Sequence, residues 1–479
     1  MDFFAIVLFL SLYYIRPYEW LPLFGSLQLV RVSMVVAIVA LLFGDRPIGW
    51  RGLFRTPSDW LMLAYFLWII YASPEKMRAY LFIYNIFTFY WVVVLTLRST
   101  SRILVFLNWW SVFVLFVAAL ALLSEVGFDP TDTYDITHGR MKDRLILNLG
   151  TYNNPNALGH SIVPGVIMLY FIGIWKRPIF TRITTPLLMA LPITCIYLTQ
   201  SKGAFLSAAI TLVCAVSFKR PKAIQIGIVI ICATLGVVAI KSLPRMQELS
   251  SSKTDEAIQG RVAAFRFGYN IVQHQFCGVG YANFTAKFLE KNHYAKSAHS
   301  SYVNIGGELG KTGLCLYLAL LYYCFRVLLA AKTTTDEEER VRRILYVLLI
   351  SYCVSSWMID WHNRATYWLM IAAVAAFHRL MLDKNRAAVA AEITEENHEV
   401  APLPALAYAT PGAAPVGVLQ QIAVPASQPT SFFAEVQTTN LPAAKLGIRW
   451  NRPKWYDWIL MYAVLRGVIY IWHYMMLNM

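Results

Sequence analysis

Four side chains in this sequence have types suited to chemistry: His299, Lys202, Arg261 and Arg266. Imidazole has an unperturbed pKa near 6.5, so His299 can act as a neutral base at neutral pH, and such assistance is typically worth about 10²–10⁴-fold in rate. Cations do what a base cannot, because they stabilise a departing diphosphate. Lys202 lies in LTQSKGAFLSAAI, a hairpin between two apolar runs. A charge deep in hydrocarbon there would cost about 2.5–3.5 kcal/mol, so Lys202 either snorkels outward or faces an anion. Around Arg261, helical spacing puts Phe265, Gly268 and Val272 on the arginine's face and turns Arg266 away by about 140°. Arg261 is therefore the first candidate for a cavity, and Arg266, a second candidate, also suits contact with lipid headgroups. A base beside two cations fits transfer of a group from a lipid diphosphate to a hydroxyl.

These residues must be positioned by membrane helices. Of 479 residues, 58% are hydrophobic and only 14% charged, and the mean hydropathy is +0.50, well outside the range of soluble domains. The fold class expected is an all-α polytopic membrane bundle. Apolar runs fall at about 3–16, 27–43, 58–73, 78–97, 102–124, 155–175, 183–200, 203–218, 222–241, 300–330, 343–360 and 364–382, which makes about twelve spans. The net charge of +15 does not indicate nucleic acid, because the basic residues form short clusters between these runs. Clusters at 46–55, 98–102, 176–182, 219–222, 332–343 and 379–386 all land on one face, which the positive-inside rule makes cytoplasmic. The polar segments 125–154 and 242–299, the turn at 200–202 and the short loop 361–363 then face outward. Cys195, Cys214, Cys232 and Cys353 lie inside apolar runs and no C-x-x-C occurs, so neither a disulfide framework nor a zinc site is expected.

The long external loop leads into AHSSYVNIGGELGKTGL. A helix beginning near Ser300 would put His299, Val303, Gly306, Gly310 and Gly313 on one face, open to a neighbouring helix or a lipid chain. Glu308 would lie opposite, near enough to Lys311 for the pair to neutralise itself in part. Upstream, Asn153 or Asn154 before Pro155 reads as a helix cap, and its positive helix end is either an anion-friendly spot or a plain cap. Asp129, Asp132 and Asp135 read as solvated loop residues rather than metal ligands. Domain boundaries are expected at 1–386 for the core, 387–449 for a flexible Ala/Pro-rich cytoplasmic linker, and 450–479 for an apolar helix that is either interfacial or an extra span.

GTYNNPNALG, LTQSKGAFLSA, GRVAAF with HQFCGVGYANF, and AHSSYVNIGGELGKTGL occur in this order among the spans. Over about residues 140–330 the chain resembles the O-antigen ligase and polymerase family of bacterial envelope glycosyltransferases, and elsewhere it resembles them by topology. The resemblance implies a GT-C-like bundle in the bacterial inner membrane, with a long periplasmic loop between spans 9 and 10. It also implies transfer of a glycan from undecaprenyl diphosphate to an acceptor hydroxyl on a glycan, lipid or protein, with inversion and with no metal or other cofactor. His299 matches the family's histidine, Arg261 its loop arginine and Lys202 a basic residue that is usually arginine. Arg266 is a further donor-binding candidate, and Asn156, Glu308, Gly306 and Gly310 are supporting ones. Lysine at 202 removes a bidentate phosphate contact. Ser300 replaces the usual asparagine after the histidine, and Cys277 the usual proline before G-V-G.

Two neighbouring activities are not separated by these residues: polymerisation onto another lipid-linked repeat, and glycosylation of a protein hydroxyl. A transporter of lipid or polysaccharide would also suit twelve spans. Inverted hydropathy repeats with paired broken helices would favour it, and the large loop occurs once.

Overall fold

The computed structural model describes residues 2–25, 27–43, 53–134, 136, 144–218, 220–230, 234, 256–399 and 453–478. Among them every regular element is helical, as expected for an all-α polytopic membrane protein. In chain order the main helices are α1 (Asp2–Ile15), α2 (Leu29–Leu42), α3 (Pro57–Ala72), α4 (Lys76–Thr96), α5 (Thr100–Glu125) and α6 (Pro155–Leu169, extended by a π turn at Tyr170–Ile174). They continue with α7 (Ile179–Leu198), α8 (Lys202–Ser217), α9 (Glu256–His274), α10 (Phe284–Asn292), α11 (Ser301–Ala330), α12 (Asp336–Ser355), α13 (Ala365–Glu399) and α14 (Trp455–Asn478). Eleven of the expected apolar runs are helical, and the ninth, 222–241, extends beyond the described residues.

Among the described residues, seven helices are long and apolar enough to cross a membrane: α4, α5, α6 with its π turn, α7, α11, α13 and α14. Helices α1, α2, α3 and α8 have only 14 to 16 residues, about 21–24 Å of length at 1.5 Å per residue. The short helices α1 and α2 pack on each other, while α3 packs along the longer α11, and α8 along α6 and α12.

Local chemistry fixes the helix starts. Asn154 caps α6, its side chain accepting from the Asn156 and Ala157 amides, and Pro155 opens the first turn. Ser201 does the same for α8 through the Ala204 amide. Thr335 and Glu338 form a reciprocal capping box at α12. At α3 the Asp59 carboxylate accepts from the Thr56 amide and hydroxyl, and also from the Tyr90 hydroxyl and the Arg379 guanidinium at 2.8 and 2.9 Å. Arg379 is thus a buried partner of Asp59 rather than part of a surface basic cluster, and Arg340 and Arg342 are buried as well.

Helix α11 departs from the straight spiral its sequence suggests. Gly310 has φ 69° and ψ −168°, a conformation that breaks the helix and suits glycine. The break would strand carbonyls, and each finds a donor: Gly307 accepts from the Val279 amide (3.0 Å), Glu308 from the Gly280 amide (2.8 Å) and Leu309 from the Trp68 indole (3.0 Å). A side chain at Gly310 would strike the Phe276 carbonyl, and one at Gly278 the Glu308 carbonyl. The G-V-G and G-G-E-L-G stretches are therefore two halves of one joint. The expectation of a single glycine face running to Gly313 fails here, because the helical count is interrupted.

Two further expectations change. Glu308 does not pair with Lys311: its carboxylate is buried 3.7 Å from His362 Nε2, whereas Lys311 is exposed. Helix α13 does not stop at 386 but runs to Glu399, so the first part of the expected linker is helical. Residues 400–449 lie outside the described residues.

Helix α14 belongs to the same compact unit as residues 1–381 and packs on α9 and α11. It runs antiparallel to α11. Asp457 meets Arg326 at 2.8 Å and accepts from the Tyr322 hydroxyl, while Trp472 lies over Gly306 and Gly268 and donates to the Phe265 carbonyl at 3.1 Å. The small side of Gly306 is therefore filled by an indole.

Candidate active site

His299 immediately precedes α11, with a left-handed backbone (φ 48°) before the Ser300 cap. The next two serines stitch this turn to the loop after α12. Ser300 Oγ and the Ser301 amide donate to the Ser356 carbonyl at 3.1 and 2.8 Å, Ser301 Oγ donates to the Ile359 carbonyl, and the Trp361 amide donates to Ser301 Oγ. The loop is thereby anchored with Asp360 beside the histidine. Its carboxylate accepts from Ser297 Oγ (3.1 Å) and Asn304 Nδ2 (2.6 Å), one donor on either side of His299 in sequence.

Burial pushes the His299 pKa below the ordinary histidine value. Asp360 opposes the shift, and the positive charges of Arg261 and Lys296 add to it. The result is an imidazole that stays neutral, and so able to accept a proton, further into the acid range than a free one. Arg261 on α9 lies within electrostatic reach of both His299 and His160. It is half-buried, whereas Arg266 is exposed on another side of the helix.

His160 anchors the neighbouring side. Its Nδ1 and the Ser207 hydroxyl both meet Ser355 Oγ, at 2.9 and 2.8 Å, tying α6, α8 and α12 together. Its Nε2 edge and Met358 pack against Gly203, one residue after Lys202. Lys202 is half-buried at the first position of α8. Close by, Arg144 donates to the Thr199 carbonyl (3.0 Å) and to Asn156 Oδ1 (3.1 Å), so Asn156 holds an arginine over the turn that precedes Lys202.

The structure thus places Arg261 within electrostatic reach of His299 and sets the Lys202 backbone and Asn156 near the same corner, reached through His160 and Met358. Glu308, Gly306 and Gly310 lie deeper along α11, serving the joint and the α14 contact. Sequence reasoning missed Asp360, Lys296, Arg144 and His160. A signal for Asp360 existed: it is the one acidic residue in SSWMIDWHNR, the short connection between the last two core spans.

The candidate site is therefore an imidazole with a carboxylate at one side and cations around it, at the mouth of a long apolar helix. No curated protein matches the chain. Residues 187–318 match the family model described as O-antigen ligase, a stretch that includes Lys202, Arg261, His299 and the Gly310 joint. Over those residues this multi-pass membrane protein is similar to the O-antigen ligase family.

Proposed function

We propose that this protein transfers a glycan from undecaprenyl diphosphate to an acceptor hydroxyl at the outer face of a bacterial inner membrane. The observation that carries the reading is the grouping of His299, Asp360 and Arg261 where α11 begins. The acceptor oxygen attacks the anomeric carbon and His299 takes its proton. The bond from that carbon to the diphosphate oxygen breaks, its electron pair leaving with the diphosphate, so the anomeric centre inverts. Arg261 and Lys202 bear the charge that develops on the leaving group. Asp360 touches neither reactant in this scheme: it is a positioning residue that also stabilises the imidazolium formed. The polar ends of the segments at 144–154, 200–202, 261–299 and 356–364 form the outward side, in keeping with the expected periplasmic loop.

The test is reconstitution in liposomes with a lipid-diphosphate oligosaccharide and separate acceptors: a lipid-core glycan, a second lipid-linked repeat and a serine-rich protein. Arg261→Ala is expected to weaken use of the donor whichever acceptor serves. Wild-type donor use in that variant, or movement of the donor lipid across the bilayer with no transfer, would overturn the reading.

A further inference from the structure

The connection SSWMIDWHNR carries one arginine as well as one acid, and Arg364 takes no part in the grouping around His299. The connection is held from several sides. Ser301 Oγ ties the Ile359 carbonyl and the Trp361 amide, the Arg364 amide donates to the Trp361 carbonyl at 2.9 Å, and the Trp368 indole donates to the His362 carbonyl at 2.9 Å. Asp360 faces one way, toward Ser297 and Asn304 on either side of His299 in sequence. Its neighbours Ile359 and Trp361 line a cavity on the other side, with Arg364 and the hydroxyl side chains of Tyr13, Thr151, Tyr152 and Ser161. The cavity measures about 10 Å³, room for a single water-sized group.

Its chemistry is one-sided. The lining holds no carboxylate, so each polar side chain in it is a cation, an N–H donor or a hydroxyl. Trp361 is only 4% exposed, and its indole N–H has no hydrogen-bond partner among the described residues. A buried donor in that state calls for a water or an ion. Arg364 is half-buried and forms no ion pair among the described residues. Arg16, the other arginine near Tyr152, is paired with Glu19. A water would meet the indole N–H and leave the guanidinium charge, whereas an oxyanion meets both.

We propose that this cavity seats one oxygen of an anionic substituent, a carboxylate or a phosphate, on the glycan handled at His299. A space of this size admits the tip of such a group and leaves its sugar outside. That the carrier is a glycan rests on the transfer reading, while the preference for an oxyanion rests on Arg364 and Trp361 alone.

The test titrates the full chain in nanodiscs with methyl glucuronide, glucose 6-phosphate and the uncharged methyl glucoside, binding being read by ligand-observed saturation-transfer NMR. Both anionic probes are expected to bind about tenfold more tightly than the glucoside. Arg364→Gln should cut that preference about fivefold or more, and so should Trp361→Phe, which keeps a ring and removes the N–H. Equal binding of charged and uncharged probes by the wild type, as for a cavity that holds only water, would overturn the proposal, as would a preference unchanged in either variant. Reconstituted transfer with the acidic sugar placed either on the acceptor or on the lipid-linked donor then identifies the carrier, because the loss in Arg364→Gln follows the substrate that bears the acid. A wild type that prefers the anionic probes but transfers nothing would uphold the oxyanion seat and overturn the glycan as its carrier.

Discussion

At the scale of single residues, the proton affinity of His299 is set by burial and by opposed neighbours. In the proposed transfer the active form is the neutral one, so the rate is expected to be high above the histidine pKa and to fall as pH drops through it. Because that pKa is lowered, the acid limb of the pH–rate profile should lie below the usual histidine range. Asp360→Asn removes the one influence raising it and should move the limb to still lower pH. Arg261→Gln removes a cation and should move it up. Steady-state profiles of the two variants, measured with saturating donor, check this through shifts of opposite sign, which a merely structural role for either residue would not produce. His299 and Arg261 stand out in the sequence because their polarity is conspicuous beside apolar runs. Asp360 does not, since its meaning depends on Ser297 and Asn304 reaching it from 63 and 56 residues away. Likewise the Glu308 partner, His362, lies in another element, and local helical spacing pointed to Lys311 instead.

At the scale of elements, the joint ties the Phe276–Gly280 segment to α11. Its hydrogen bonds exist because α11 is broken at Gly310, and the break exists because glycine tolerates that backbone. Gly310→Ala should cost about 1–3 kcal/mol from strain alone, with more from the collision with Phe276, and be seen as a lower thermal midpoint in detergent. A midpoint equal to wild type would show that the joint is not under this constraint. Helix starts were legible in the sequence because caps such as Asn154-Pro155 act within one turn. The kink was not, because Gly306 and Gly310 in GGELG read equally as a smooth packing strip until the Val279 and Gly280 amides are seen to take the carbonyls. The indole of Trp472 is another such long-range contact: a small residue at 306 announces a close neighbour without saying which.

At the scale of the whole molecule, the span pattern was legible from hydropathy, while the ties between distant spans were not. The buried pair of Asp59 and Arg379 joins helices 320 residues apart. Breaking it leaves a buried charge without its partner, so Arg379→Met should destabilise by about 3–5 kcal/mol. Asp59→Asn added to Arg379→Met should restore much of the loss in the same melting assay, and no restoration would contradict the assignment of that cost to an unpaired carboxylate. The antiparallel pairing of α14 with α11 makes the end near Asn478 share a side with His299, so a topology reporter fused after it should read periplasmic, and a cytoplasmic signal would contradict the orientation proposed for the site. The most direct measurement of the central claim is release of lipid diphosphate alongside formation of the glycosidic product in reconstituted vesicles, for wild type and His299→Ala. One lipid diphosphate should appear for each glycan transferred, and both rates should fall together by about 10²–10⁴-fold in the variant. Product forming at the wild-type rate without the imidazole, or lipid diphosphate released with no glycosidic bond made, would contradict it.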